Sequence, residues 1–153
     1  GADDAYVYNF EEDGFPRGYA SFLARPLDWL RLGLLVKDNG VFAGEQVISS
    51  ELMEAVKGPA VTEENYGWQI WRGAIWQEQR FYNDEKAGFA VTQSEPYLAD
   101  DLVYFDGFGG QRVITSEERD LVIVRLGNTS VVWDDAQLPN RVMRALDSLD
   151  AGE

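Results

Sequence analysis

The sequence predicts an α+β fold, an antiparallel sheet with helices laid against it. Three observations point there. The stretch Gly107–Gly127, GFGGQRVITSEERDLVIVRLG, runs from a glycine-rich bend through one strand and a charged turn into a fully apolar second strand, a hairpin over about 110–127. Helix-type segments bounded by their own stop signals lie at about 26–38, 50–57 and 135–149. Between them, YGWQIWR alternates well enough for a strand at about 66–72, with Tyr66, Trp68 and Ile70 on one face.

In order along the chain, GADD reads as a solvated end, and Tyr6–Phe10 as a loose edge strand closed by the acidic turn Glu11–Gly14. Gly14, Pro16 and Gly18 keep the next stretch irregular. Pro26 then occupies a first helical position, and Asn39-Gly40 stops the helix. The body of that helix, LDWLRLGLLV, is apolar on more than one face, which predicts burial on several sides, with Trp29 in the core and Gly33 where another backbone passes close by. VFAGEQVI gives a short turn and strand. Ser49 or Ser50 caps the two-turn helix SELMEAVK, which Gly58-Pro59 ends. From Gly73 to Asp101 only one strand is legible, near Phe89–Thr92. Asp134 or Asp135 caps a final helix with Val142, Leu146 and Leu149 as its inner stripe.

Composition excludes several functions. The 153 residues suit one domain with a real core: 45% are apolar, among them five Trp, seven Tyr and eight Phe. A net charge of −14 opposes binding to nucleic acid and to anionic membranes. No run approaches the roughly 18 apolar residues of a membrane span, so a soluble acidic protein is expected. There is no cysteine, hence no disulfide and no thiol nucleophile, and no histidine, hence no Ser-His-Asp triad. Acid–base chemistry must therefore come from carboxylates, Lys or Tyr. No cofactor and no metal are expected: Asp100-Asp101 and Asp134-Asp135 are adjacent acids of the kind that solvate turns or cap helices. Glu117, Glu118, Arg119 and Asp120 are read as a solvated turn.

Three blocks, taken in order, resemble the serine β-lactamase and penicillin-binding-protein superfamily in its esterase and 6-aminohexanoate-dimer hydrolase branch. These are GYASFLARPLDWLRLGLLVKDNGVFAGEQVISSELMEAV, YGWQIW, and GFGGQRVI with DLVIVRLGN. The resemblance implies a partial β-lactamase-like domain and acyl transfer to a small-molecule ester or amide by the intact protein, in a bacterial cytoplasm or periplasm. It also places the box equivalent to Lys-Thr-Gly on the first strand of the hairpin. Carried over, Phe108 or Gly109 becomes the amide donor of an oxyanion hole, Gly107 and Gly110 allow close approach, and Gln111 continues the substrate edge.

The departures matter as much. No Lys-Ser/Thr-Gly is present, which disfavours lactamase activity. None of Ser21, Ser49, Ser50, Ser94, Ser116, Ser130 and Ser148 has a lysine three residues on, so the family's Ser-x-x-Lys is missing, as is its Tyr-x-Asn. The chain reads as the C-terminal portion of such a hydrolase, 1–153 as one unit, inactive alone. The alternative is a stand-alone α+β binding or assembly module. GFGGQ may be read simply as a tight bend. Trp68, Trp71 and Trp76 either line a cleft or, as is usual, pack on the sheet. The segment Trp76–Tyr104 stays without an assigned role. An apolar helix surface left by a missing half predicts self-association, there or along an unpaired sheet edge.

Overall fold

The computed structural model describes residues 5–8, 12, 14–15, 22–81, 90–128 and 133–152; Asn9–Glu11, Asp13, Pro16–Ser21, Phe89 and Ser130, on which several sequence readings fell, lie outside them. Its central feature is a four-stranded antiparallel sheet in the order β10-β9-β8-β5, formed by β5 (Trp71–Arg72), β8 (Val103–Gly107), β9 (Gln111–Ser116) and β10 (Leu121–Arg125). Three further two-stranded pairs stand apart. These are β1 (Tyr6–Val7) with β2 (Phe22–Leu23), β3 (Val41–Phe42) with β4 (Glu45–Gln46), and β6 (Gln79–Phe81) with β7 (Ala90–Thr92).

Helices cover both faces of the sheet, so its strands are apolar on both sides. On one face α1 (Pro26–Lys37) and α2 (Ser50–Lys57) enclose Val36, Met53, Ile70 and Val103. On the other, α3 (Gln137–Asp150) and the loop before β8 enclose Tyr97, Leu102, Tyr104, Ile114 and Met143. The period-two alternation of strand side chains sends Val103 and Phe105 to the first face and Tyr104 to the second. Burial of a large apolar side chain such as Ile70 or Met143 contributes about 1.5–3 kcal/mol.

Helix α1 begins with Pro26 and closes with Asp38, as its sequence requires, and Ser49 caps α2 by accepting the Leu52 N–H at 3.2 Å. Gly33 is a seat: a Cβ there would lie 2.5 Å from Val122 Cγ1 and 2.9 Å from Val113 Cγ1, so the close neighbours are sheet side chains rather than a backbone. Trp29 is only half-buried, edge-to-face with Phe22 at 5.3 Å. It lines an apolar groove with Leu32, Leu35, Phe42 and Val47, outside the core in which it was expected.

Three sequence expectations are corrected in detail. The strand expected over Tyr66–Arg72 contracts to Trp71–Arg72, because Gln69 takes φ +64° and Tyr66 bridges back to Trp71, making Tyr66–Ile70 a tight bend. The glycines before the closing hairpin do not merely open it; they join β9 to a preceding strand, β8, so that β8, β9 and β10 form a meander. In α3 the buried residues are Pro139, Asn140 and Met143, while Leu146 and Leu149 are 41% and 69% exposed. The helix packs by a face about 100° from the anticipated stripe, because buried Asn140 is anchored to the loop before β8: it donates to Pro96 O (2.8 Å) and accepts the Leu98 N–H (3.0 Å).

Candidate functional site

The five residues singled out as a substrate edge, Gly107, Phe108, Gly109, Gly110 and Gln111, form one turn between β8 and β9. Gly109 and Gly110 both take positive φ, +73° and +79°, a conformation that costs a side chain about 1–2 kcal/mol. Gly107 cannot carry a side chain without moving Gln111, whose Cβ would lie 2.8 Å away. The Phe108 side chain is fully exposed at the tip.

Around this turn the carbonyls of Gly107, Gly110 and Gln111 are held, and the amides of the three residues between β8 and β9 are not. Arg112 Nη1 donates to Gln111 O at 2.9 Å and, at a longer 3.4 Å, to Gly107 O. Arg125 Nη1 donates to Gly110 O at 2.7 Å, while its guanidinium stacks on Trp133 at 4.4 Å. The Gln111 side chain clasps the backbone of Gly127, donating to its O (2.6 Å) and accepting from its N–H (2.9 Å). The N–H groups of Phe108, Gly109 and Gly110 donate to no acceptor among the described residues.

The direction of the Phe108 N–H follows from the strand. Leu102 O accepts the Gly73 N–H on the β5 side, at 2.8 Å. Backbone polar groups alternate sides along a strand, so those of Val103, Phe105 and Gly107 face β9. The Gly107–Phe108 peptide is trans, which turns the Phe108 N–H away from β9. It points to the side where β5 pairs with β8 only at Val103 and Tyr104.

Both residues flanking the turn belong to a buried ion cluster. Arg80 Nη2 donates to Asp106 Oδ2 (2.6 Å) and to Asp135 Oδ2 (2.8 Å). Arg112 donates through Nη1 to Asp106 Oδ1 and through Nη2 to Asp135 Oδ1 (2.8 Å), and Trp133 Nε1 adds a donor to the same oxygen at 2.8 Å. All four charged side chains are at most 7% exposed. Two cations and two anions give no net charge, which is what makes such burial tolerable. The Arg80 guanidinium lies over the Trp71 ring at 4.1 Å. Burial alone would lower the pKa of Arg80, but Tyr104, Asp135 and Asp106 outweigh it and hold it above the ordinary value.

Several of the groups that could supply acid–base or nucleophilic chemistry are engaged elsewhere. Burial pushes the Tyr97 and Tyr104 phenols above their ordinary pKa, and hydrogen bonds to Asp120 and Asp38 raise that of Lys37, so all three hold their protons at neutral pH. Ser116 is buried and donates to Asp101 Oδ1 at 2.6 Å. Ser148 donates to Arg144 O, and Ser49 is a helix cap. Arg144 pulls the Glu95 carboxyl down to about 2. Among the described residues no cluster of three or more acids is placed to hold a metal ion, and no helix is long and apolar enough to cross a membrane.

Against this geometry the comparisons can be set. No protein-family model and no curated protein matches the sequence. Solved structures do match. A Bacillus anthracis protein bearing the name 6-aminohexanoate-dimer hydrolase superposes with TM-score 0.58 at 18% identity, covering 94% of this chain and 33% of that one. A Bacteroides dorei protein bearing the name β-lactamase superposes with TM-score 0.50 at 13% identity, covering 97% and 46%. The fold is β-lactamase-like, in part. The chain spans from a third to just under half of the length of these β-lactamase-like structures.

Within that fold, sequence reasoning brought Gly107–Gln111 together and missed what surrounds them. Trp68 and Trp76 are 61% and 48% exposed, whereas Trp71 packs beneath Arg80. Neither candidate caps the last helix, whose N-cap is Ala136 with no side-chain hydrogen bond: Asp134 accepts the Ala136 N–H at 3.1 Å ahead of the helix, and Asp135 turns inward to the cluster. One signal for that cluster was present. In β9, Arg112 shares the face of Ile114, and a cation at an inward strand position requires a buried acceptor.

Proposed function

We propose that this chain carries one part of the catalytic apparatus of a β-lactamase-related serine hydrolase acting on a small-molecule ester or amide. In the intact protein an upstream serine attacks the carbonyl, with lysine and tyrosine managing the proton, and the turn at Phe108–Gly109 supplies a backbone N–H to the developing oxyanion. Such a donor contributes by being already oriented where charge appears in the transition state, and loss of one side-chain donor in a comparable hole costs about 3–4 kcal/mol. The observation that supports the reading best is the pairing of held carbonyls with unengaged amides in a glycine turn. Alone, the chain has no nucleophile for that donor to serve and is expected to be inactive.

Two measurements test this. The coding sequence read upstream should contain Ser-x-x-Lys and Tyr-x-Asn; an authentic start near Ala2 sinks the fragment reading. The intact mass of the purified chain should not change after incubation with a serine-directed fluorophosphonate. A stoichiometric adduct on one serine would mean that the nucleophile lies within these 153 residues.

A further inference from the structure

The buried cluster beside the turn points to a role beyond holding the fold. Its members come from four places: Arg80 from β6, Asp106 from β8, Arg112 from β9, and Asp135 from just before α3. Asp106 and Arg112 are register partners, and they are the last residue before Gly107 and the first after Gln111. The turn therefore springs from an ion pair that is itself locked to a hairpin on one side and to the start of a helix on the other.

Arg112 is the member that reaches the turn. Its Nε and Nη2 are both committed to Asp135 Oδ1, at 3.1 and 2.8 Å, which fixes the guanidinium plane. Nη1 is then presented to Asp106 and to the carbonyls of Gln111 and Gly107. In a planar trans peptide the carbonyl and the following N–H point opposite ways. Whatever holds Gly107 O toward β9 therefore aims the Phe108 N–H toward the far side of β8.

We infer that Arg112 is a positioning residue, which steadies, through the Gly107 carbonyl, the direction that strand pairing gives the Phe108 N–H, and is itself aligned by Asp106 and Asp135. This rests on the reading of the turn as an oxyanion donor and narrows it from Phe108 or Gly109 to Phe108. The glycines allow the bend, the pairing of β8 with β9 gives its orientation, and Arg112 holds it there. Arg125 secures the other limb at Gly110 O.

The test is backbone 15N relaxation, with residual dipolar couplings, on the labelled chain. In the native protein Phe108 should show the order parameter of rigid backbone, about 0.85. In Arg112→Lys, which cannot hold Asp135 by two nitrogens while reaching the turn, it should fall below about 0.6. Ile114, Ile123 and Val124 should keep their native values. A second variant, Arg112→Met with Asp135→Asn, removes one charge of each sign, leaves the Arg80–Asp106 pair in place, and decides the matter if the lysine variant does not fold. An unchanged Phe108 order parameter and coupling in that double variant overturns the inference. So does an equal loss of order throughout β8, β9 and β10, which would reduce the cluster to a support of the sheet. The two readings fail separately. An authentic start near Ala2 would remove the upstream nucleophile that the donor serves and leave the hold of Arg112 on the peptide, whereas unchanged order parameters would remove that hold and leave the turn as a candidate donor.

Discussion

The two turns at the ends of β9 are made in opposite ways. At Glu117–Asp120 the amides are covered: Asp101 Oδ2 accepts the N–H groups of Glu117 (2.7 Å) and Glu118 (2.9 Å), and Ser116 Oγ accepts that of Arg119 (3.1 Å). At Gly107–Gln111 the carbonyls of Gly107, Gly110 and Gln111 are covered, by Arg112 and Arg125, and the amides of Phe108, Gly109 and Gly110 are left without acceptors among the described residues. A carboxylate laid across a row of N–H groups completes a turn and leaves nothing for a ligand. Guanidinium groups laid on the carbonyls complete the turn equally well, and leave its donors for an anion. One strand thus carries a turn with capped amides at one end and a turn with uncapped amides at the other.

The contrast can be broken from either end. The largest expected effect is at the uncapped turn, where Arg112→Ala would leave Asp106 and Asp135 buried with one cation fewer. Stripping a partner from a buried ion pair costs about 3–5 kcal/mol, so the urea midpoint should fall well below that of the native chain. An unchanged midpoint would mean that water or a rearranged Arg80 serves the carboxylates equally well. At the capped turn, Asp101→Ala removes the carboxylate that accepts from one hydroxyl and two amides. It should cost about 2 kcal/mol in the same assay, since hydrogen bonds to a charged group are each worth about 1.5–3 and water can reach the exposed amides of Glu117 and Glu118. The smallest effect is expected at Phe108→Ala. That side chain touches solvent alone, so stability should stay within about 0.5 kcal/mol. A larger loss would show that the tip packs on something, contrary to its full exposure.

What could be read from the sequence follows the same division. Local backbone chemistry was legible: Pro26 at a helix start, Ser49 as a cap, and glycines where φ is positive at Gly109 and Gly110. The α+β class and the β9–β10 hairpin followed from such marks. Strand β8 was not legible, because VYFDG is buried on both faces at its start and so shows no alternation. The packing face of α3 was missed because a polar residue, Asn140, anchors it, while apolar Leu146 and Leu149 mark another face. The cluster was invisible for a different reason. Arg80, Asp106 and Asp135 are scattered charges that each read as solvated alone, and Arg112, on the inward face of β9, signals a buried acceptor without saying which. Only the tertiary fold brings them together and makes their mutual neutrality apparent.

That scatter bears on the order in which the molecule assembles. Asp106 and Arg112 are six positions apart, joined across one turn, whereas Arg80 and Asp135 are separated by 55. Closing a short loop forfeits less chain entropy than closing a long one, and contacts between near neighbours favour rapid folding. The Asp106–Arg112 pair can therefore form with the β8–β9 turn, early, while Arg80 and Asp135 arrive as the hairpin and the last helix dock. A bond made after the folding barrier has been crossed does not speed folding; it slows escape from the native state. Half of this cluster thus spans a short loop that is cheap to close, and the other half spans long ones that only docking of the hairpin and the last helix can close.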